Sequence, residues 1–467
     1  MNYRVAVAVA VAVAVAVAAC DSGTPDAATE ASADSTALLA PGVTPDGLAE
    51  RVSQFAPADI DFDASVLEPW ERQVIGKLVE ASDVMHESFA HQATPDYDTW
   101  AQRVEAYDGP GAAAVKTYFD IMVGPWDRLE HNEPFLAAGP KPAGAAYYPA
   151  DLTQEEFDAW IAAHPDDRDA FTGYFTVIRR EADSLIAVPY SEVYREQLER
   201  AASLLREAAE LSENASLTDY LGKRADAFLS DDYFASDLAW MDIDSRVEPT
   251  IGPYEVYEDG LVGYKAAFES FITIADAAAS AELQQLKDDL PMLERRLPID
   301  DQYKNPDRGF ESPIRVVDEV YTGGDAREGV QTTAFNLPND VRVHEQKGSK
   351  KVMLRNVARA KFDAILSPIA QAVLAPELAA EIEFRPWFVN VVMHELAHGL
   401  GPSTITTAAG ERTSVNQALR EHYSPLEEAK ADVTGLHNLT VLAEQGRFDD
   451  EFVRRAFIGH LADLFRA

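Results

Sequence analysis

Cysteine is almost missing from this sequence: its 467 residues contain one, Cys20. Intrachain disulfides, CxxC redox chemistry and thiolate zinc clusters each need at least two thiols, so all three are excluded. Positive charge is scarce as well, with 40 Lys and Arg against 79 Asp and Glu and a net charge of −39 at pH 7. Such a field repels phosphate backbones and anionic membrane surfaces, which removes nucleic acid from the expected partners. No GxxxxGK(S/T) loop, GxGxxG turn or GxSxG elbow occurs, so nucleotide use and serine hydrolysis lose their usual supports. After the first twenty residues no stretch has the length and apolarity of a membrane-spanning helix.

What is present describes a folded body of two or three domains. Hydrophobic residues make up 47% of the chain, with 6 Trp, 17 Tyr and 21 Phe, unlike a disordered acidic tail. Residues 1–19 read as a signal peptide: Arg4, then a Val/Ala run too short to hold a bilayer span, then small residues before Cys20. Val17-Ala18-Ala19-Cys20 resembles a bacterial lipobox, which implies lipidation of Cys20 and an exported protein held on the cell envelope, facing the periplasm, by that anchor alone. Residues 20–50, rich in Asp, Ser, Thr, Ala, Pro and Gly, have linker chemistry.

The remainder predicts a mainly α fold with a smaller β portion (α+β), as two lobes flanking a cleft. Apolar residues spaced three and four apart, as in Val66-Leu67-Trp70-Val74-Ile75-Leu78 and Leu198-Ala202-Leu205, predict a mostly helical lobe over 51–245. Strand-like runs such as Ile314-Arg315-Val316-Val317 appear in the second region, 246–467, before helical patterns return at 352–375, 386–400, 425–445 and 450–465.

The chemistry is in that second region. His394-Glu395-Leu-Ala-His398 is an HExxH motif in helical context, with Pro386 suited to the first turn and Gly401-Pro402 to a stop. Histidines four apart share one helix face and can bind one Zn²⁺ ion, and Glu395 on the adjoining face can take a proton from an activated water. A catalytic zinc wants a third protein ligand. Thr404 stands where an HExxHxxGxxH pattern would place a histidine, and a hydroxyl cannot replace an imidazole. Ser424-Pro425-Leu426-Glu427-Glu428-Ala429-Lys430-Ala431-Asp432 begins another helix, with Ser424 and Glu427 spaced as a capping box. Glu428 points away from that cap and is the expected third ligand, with Asp432 one turn on accepting an imidazole N–H and Glu427 also expected behind the metal ligands.

HELAH followed about thirty positions later by EEAKAD resembles the dipeptidyl peptidase III family of zinc metallopeptidases. Gly252-Pro-Tyr-Glu255-Val-Tyr257-Glu-Asp259 resembles the family's ExY segment, and Asn336-Leu-Pro-Asn339 its NxPN segment. The resemblance implies that Glu255 and Tyr257 hold the ammonium group of an oligopeptide and that Asn336 and Asn339 hydrogen-bond its backbone. It implies release of short fragments from peptide N-termini, with Glu395 as general base. The chain has HExxH where HExxGH is commoner in the family, and it ends on a still-apolar helix, so it reads as short at the C-terminus. The oxyanion-stabilising histidine and the arginine that the family supplies further on are therefore left unassigned. Two other readings stay open: a weak or inactive peptide-binding envelope lipoprotein that keeps a zinc site, and a scaffold in which a fourth ligand closes a structural zinc.

Overall fold

A computed structural model of the protein describes residues 3–8, 38–182, 184–304, 313–407, 410, 412–419 and 422–466. Cys20 lies outside them, as does most of the expected leader and linker. Tyr3–Ala8 is a strand paired antiparallel with Phe55–Ile60. Among the described residues no helix is long and apolar enough to cross a membrane. Residues 38–50 belong to the stretch that composition reads as linker. A helix spans Pro45–Ser53, capped by the Thr44 hydroxyl accepting from Gly47 N–H, and Leu38 and Leu48 are buried against a core that includes Phe55, Tyr118 and Phe135. Two leucines suffice to fold this polar stretch onto the body, because both reach an aromatic core.

Three long helices organise the N-terminal half: α1 (Pro69–Ala93), α2 (Arg195–Leu211) and α3 (Ala215–Ser230). A capping box between Glu68 and Glu71, with Pro69 at the first position, starts α1, and the Asn214 side chain caps α3. A five-stranded sheet follows: β1 (Thr250–Glu255), β2 (Ala267–Ala275), β3 (Ile314–Gly323), β4 (Ala334–Leu337) and β5 (Lys350–Leu354), in the order β4-β5-β3-β2-β1. Only β3 and β5 pair in parallel. The C-terminal half adds α4 (Phe384–Ala397), α5 (Tyr423–Glu444) and α6 (Asp450–Asp463).

The sheet is buried on both faces, and its period-two alternation assigns neighbouring side chains to different cores. Val317, Val352 and Leu354 enter a core shared with α1, α2 and α3, whereas Ile314, Val316 and Met353 enter one shared with α4, α5 and α6. The packing cores are divided differently from the lobes expected on either side of 245. The first core runs on through β1 and β2, so the division lies in the sheet itself. The change of composition near 245 marks a change of secondary structure, not the edge of a packing unit. The helix expected from 352 begins at Arg355, because residues 350–354 are committed to β3 and β4 as a strand.

Candidate functional site

Most of α4 is buried: Trp387, Phe388, Val389, Val392, Met393 and Leu396 fix it in the second core. His394, Glu395 and His398 share its half-exposed remainder. The helix ends at Ala397, and His398 is the cap residue, still right-handed at φ −56° and ψ −34°. The one-turn relation of the histidines therefore survives, with ring centroids 4.8 Å apart and planes at 90°. Gly401, at φ +77°, turns the chain away in a conformation that favours glycine, and its N–H donates to the buried Glu294 carboxylate at 2.9 Å. Thr404 starts a short hairpin, 404–406 with 412–414.

The α5 helix crosses α4 at Gly435, where a Cβ would stand 3.0 Å from His394 N and 3.2 Å from its Cα. This close approach brings Asp432 and Glu428, one and two turns earlier on α5, over the histidines. His394 Nδ1–H donates to Asp432 Oδ1 at 2.7 Å, and His398 Nδ1–H to Glu427 Oε1 at 3.1 Å. Each carboxylate orients its ring and leaves Nε2 as the free lone pair. Glu428 Oε2 stands 3.2 Å from His394 Nε2 and 3.9 Å from His398 Nε2. The donor atoms of the three residues lie within 4.8 Å of one another. Tetrahedral zinc, with bonds of about 2.0–2.2 Å, wants donors about 3.3 Å apart, so this trio suits one such ion.

The helix start expected at Ser424 lies earlier in the chain. α5 starts at Tyr423 with His422 in the cap position, so Ser424 is already helical. Glu427 accepts from His398 and from Lys430 Nζ at 2.7 Å, two cationic or polarisable donors. Lys430 also donates to the carbonyls of His398 (3.3 Å) and Leu400 (3.1 Å), placing a cation just past the C-terminus of α4. Glu395 has its own lysine: Lys351 Nζ donates to its carboxylate at 2.8 Å and its carbonyl at 3.0 Å. Burial would raise the Glu395 carboxyl, but the charge and hydrogen bond of Lys351, with help from the two histidines, outweigh it and hold the group below its ordinary value.

Glu395 and Lys351 line a cleft of about 480 Å³ together with Glu255, Tyr257, Asn336 and Asn339. Glu255 closes β1, after an irregularity between Pro253 and Glu255, and burial raises its carboxyl. Tyr257 is 84% exposed on the loop that follows. That loop is built on buried Asp259, which accepts from the N–H groups of Leu261, Val262, Tyr264 and Lys265 and from the Tyr148 hydroxyl. Glu258, beside it, is paired with Arg128 and Lys141. Asn339 donates to the Tyr254 carbonyl at 3.0 Å, and Asn336 lies opposite Lys351 in the β4–β5 register.

Sequence reasoning missed Lys351, Lys430, Gly435 and Glu269. Glu269, on β2, lines the same cleft, and burial, then Glu255 and Asp325, push its carboxyl well above the ordinary range. Its signal was legible: it is the one charge in the strand Ala-Phe-Glu-Ser-Phe-Ile-Thr-Ile-Ala. Lys351 had no comparable mark, because its importance rests on strand pairing.

Residues 147–437 match the model of peptidase family M49. The fold matches the structure of DPP III from Caldithrix abyssi with a TM-score of 0.85 and 48% identity, over 87% of this chain and 77% of that one. It matches dipeptidyl-peptidase III from Corallococcus sp. strain EGB with a TM-score of 0.78 and 42% identity, over 90% and 78%. The chain is also 35% identical to Nudix hydrolase 3 of Arabidopsis thaliana, over 90% of its own length and 61% of that relative's.

Proposed function

The chain belongs to peptidase family M49, and from that premise we propose that it is a zinc-dependent metallopeptidase that cleaves oligopeptides near their N-termini, as a dipeptidyl peptidase. The observation that carries this reading is the convergence of His394 Nε2, His398 Nε2 and Glu428 Oε2 beside a cleft that also holds Glu395 and Glu255. Zinc, when bound, supplies a Lewis acid that acidifies water and polarises a carbonyl. Asp432 and Glu427 hold the ligand imidazoles in the tautomer that presents Nε2. Glu395 accepts the proton of the attacking water and passes it to the departing amine. Glu255 and Glu269 line the same cleft, where an arriving ammonium group would favour the charged form of carboxyls that burial otherwise raises, and Tyr257 borders it. Asn336, on the edge strand β4, and Asn339 after it hydrogen-bond an extended backbone. Measuring from the ammonium to the reacting carbonyl is what makes such a site an exopeptidase.

Glu395→Gln tests the reading. It should keep bound zinc and lose about 10²–10⁴ in kcat, seen as N-terminal dipeptides disappearing from digests of a peptide library. Wild-type protein that binds zinc and releases no fragment from that library would favour the peptide-binding lipoprotein instead. We further propose that the protein is exported and anchored through a lipidated Cys20, on the strength of the Val/Ala run and the small residues before that cysteine. The mass of the mature N-terminus checks this, and an unmodified chain starting at Met1 would sink it.

A further inference from the structure

We propose that Lys351 is a positioning residue for Glu395, clamping its carboxylate and its main-chain carbonyl together and so setting the direction of that carboxylate relative to the peptide-binding strand β4. The inference rests on the reading of Glu395 as the base and adds a residue to it.

One ammonium reaching two oxygens of a single residue, at 2.8 and 3.0 Å, restrains the side-chain torsions of Glu395 as well as its charge. The carbonyl it takes lies where α4 runs out. The Gly399 N–H goes to the Leu396 carbonyl at 3.1 Å in the tightened last turn, and a cation at this end of a helix is favourable. Lys351 therefore fastens the last turn of the helix that carries His394 and Glu395, on the side facing the cleft.

The other end of the clamp is equally fixed. Lys351 is the register partner of Asn336, so in an antiparallel pair their side chains emerge on the same face, and both line the cleft. The preceding residue, Lys350, points to the opposite face, where it is fully buried and bonded to the Glu248 carboxylate and the Trp240 carbonyl, each at 2.7 Å. With Lys350 held behind the sheet, Lys351 has little freedom to leave the front. A peptide lying along Asn336 and the carboxylate of Glu395 are thus referenced to one strand residue. Misplacing a reacting group by about 1 Å can cost about 10² in rate.

Three variants test this: Lys351→Met, Lys351→Arg and Glu395→Gln, with the Lys351→Met/Glu395→Gln double. With zinc saturating, Lys351→Met should lose roughly 10² in kcat on a free-amine peptide while KM stays within about twofold, and zinc affinity by chelator competition should not change. Lys351→Arg, which keeps a cationic donor, should recover most of the loss, and Lys351→Met should cost nothing more in a Glu395→Gln background. Full kcat in Lys351→Met, or a fall in zinc affinity that parallels the fall in kcat, overturns the proposal. A second readout needs neither metal nor turnover: in thermal unfolding of the metal-free proteins the two single substitutions should be non-additive. If wild-type protein cleaves nothing but this coupling is found, the peptidase reading fails and the clamp stands. Additive shifts remove the clamp whatever the activity, and Lys351→Arg supplies the same cycle if Lys351→Met does not fold.

Discussion

At one end of the cleft, two histidines four residues apart on α4 meet a carboxylate from α5, and every imidazole Nδ1 is already engaged by a carboxylate. On the sheet side of the cleft, Glu255, Glu269 and Asn336 arrive from three different strands, and burial raises the two carboxyls with no cation assigned as their partner. The first end is pre-paired, its imidazoles already oriented as a metal site would need them. The second holds carboxyls whose charged form burial disfavours until a cation arrives. Both ends favour positive charge, but only the first has an ordered donor geometry of its own.

The largest break in that comparison should come from Glu255→Gln. We expect kcat/KM on peptides with a free N-terminus to fall by about 10²-fold. Zinc affinity, by chelator competition, should be unchanged, and N-acetylated peptides, which already lack the ammonium, should lose nothing further. An equal loss on acetylated peptides would move Glu255 out of ammonium recognition. Next comes Asp432→Asn, which keeps the shape of the group and removes its charge. Zinc affinity should drop about 10–100-fold, while peptide KM in zinc-saturated protein stays near the wild-type value. A change in KM alone would mean that the two ends are not separable. The smallest effect is expected from Gly435→Ala. The added methyl would meet His394 main chain at 3.0–3.2 Å, so α5 must shift, costing about 1 kcal/mol or somewhat more in stability, read by denaturant titration. Zinc affinity should weaken in step, and a loss of stability with zinc affinity intact would show that Glu428 tolerates the shift.

The same contrast governs what could be read from the chain. His394, Glu395 and His398 were legible because their geometry is intrinsic to one helix, and Glu428 and Asp432 because both lie on one face of another. The α+β class was visible in the periodicities, as were the strand around Ile314–Val317 and helices near 386–400 and 425–445. Lys351 and Glu269 depend on which strands pair and in what register, which local spacing does not encode. Glu427 was read both as a capping residue and as a carboxylate behind the metal ligands, and only the capping part depended on where the helix starts. The core of Leu38 and Leu48 was missed because polar composition around two leucines masks their burial.

Lys350 and Lys351 also bear on which changes of length this chain can absorb. One neighbour is sealed behind the sheet against Glu248, and the other stands in the cleft against Glu395. Inserting one residue between them would bring both side chains to the same face, so that either Glu248 or Glu395 loses its lysine. Surface loops accept such indels readily. This strand should reject even a single one, although neither lysine belongs to any motif.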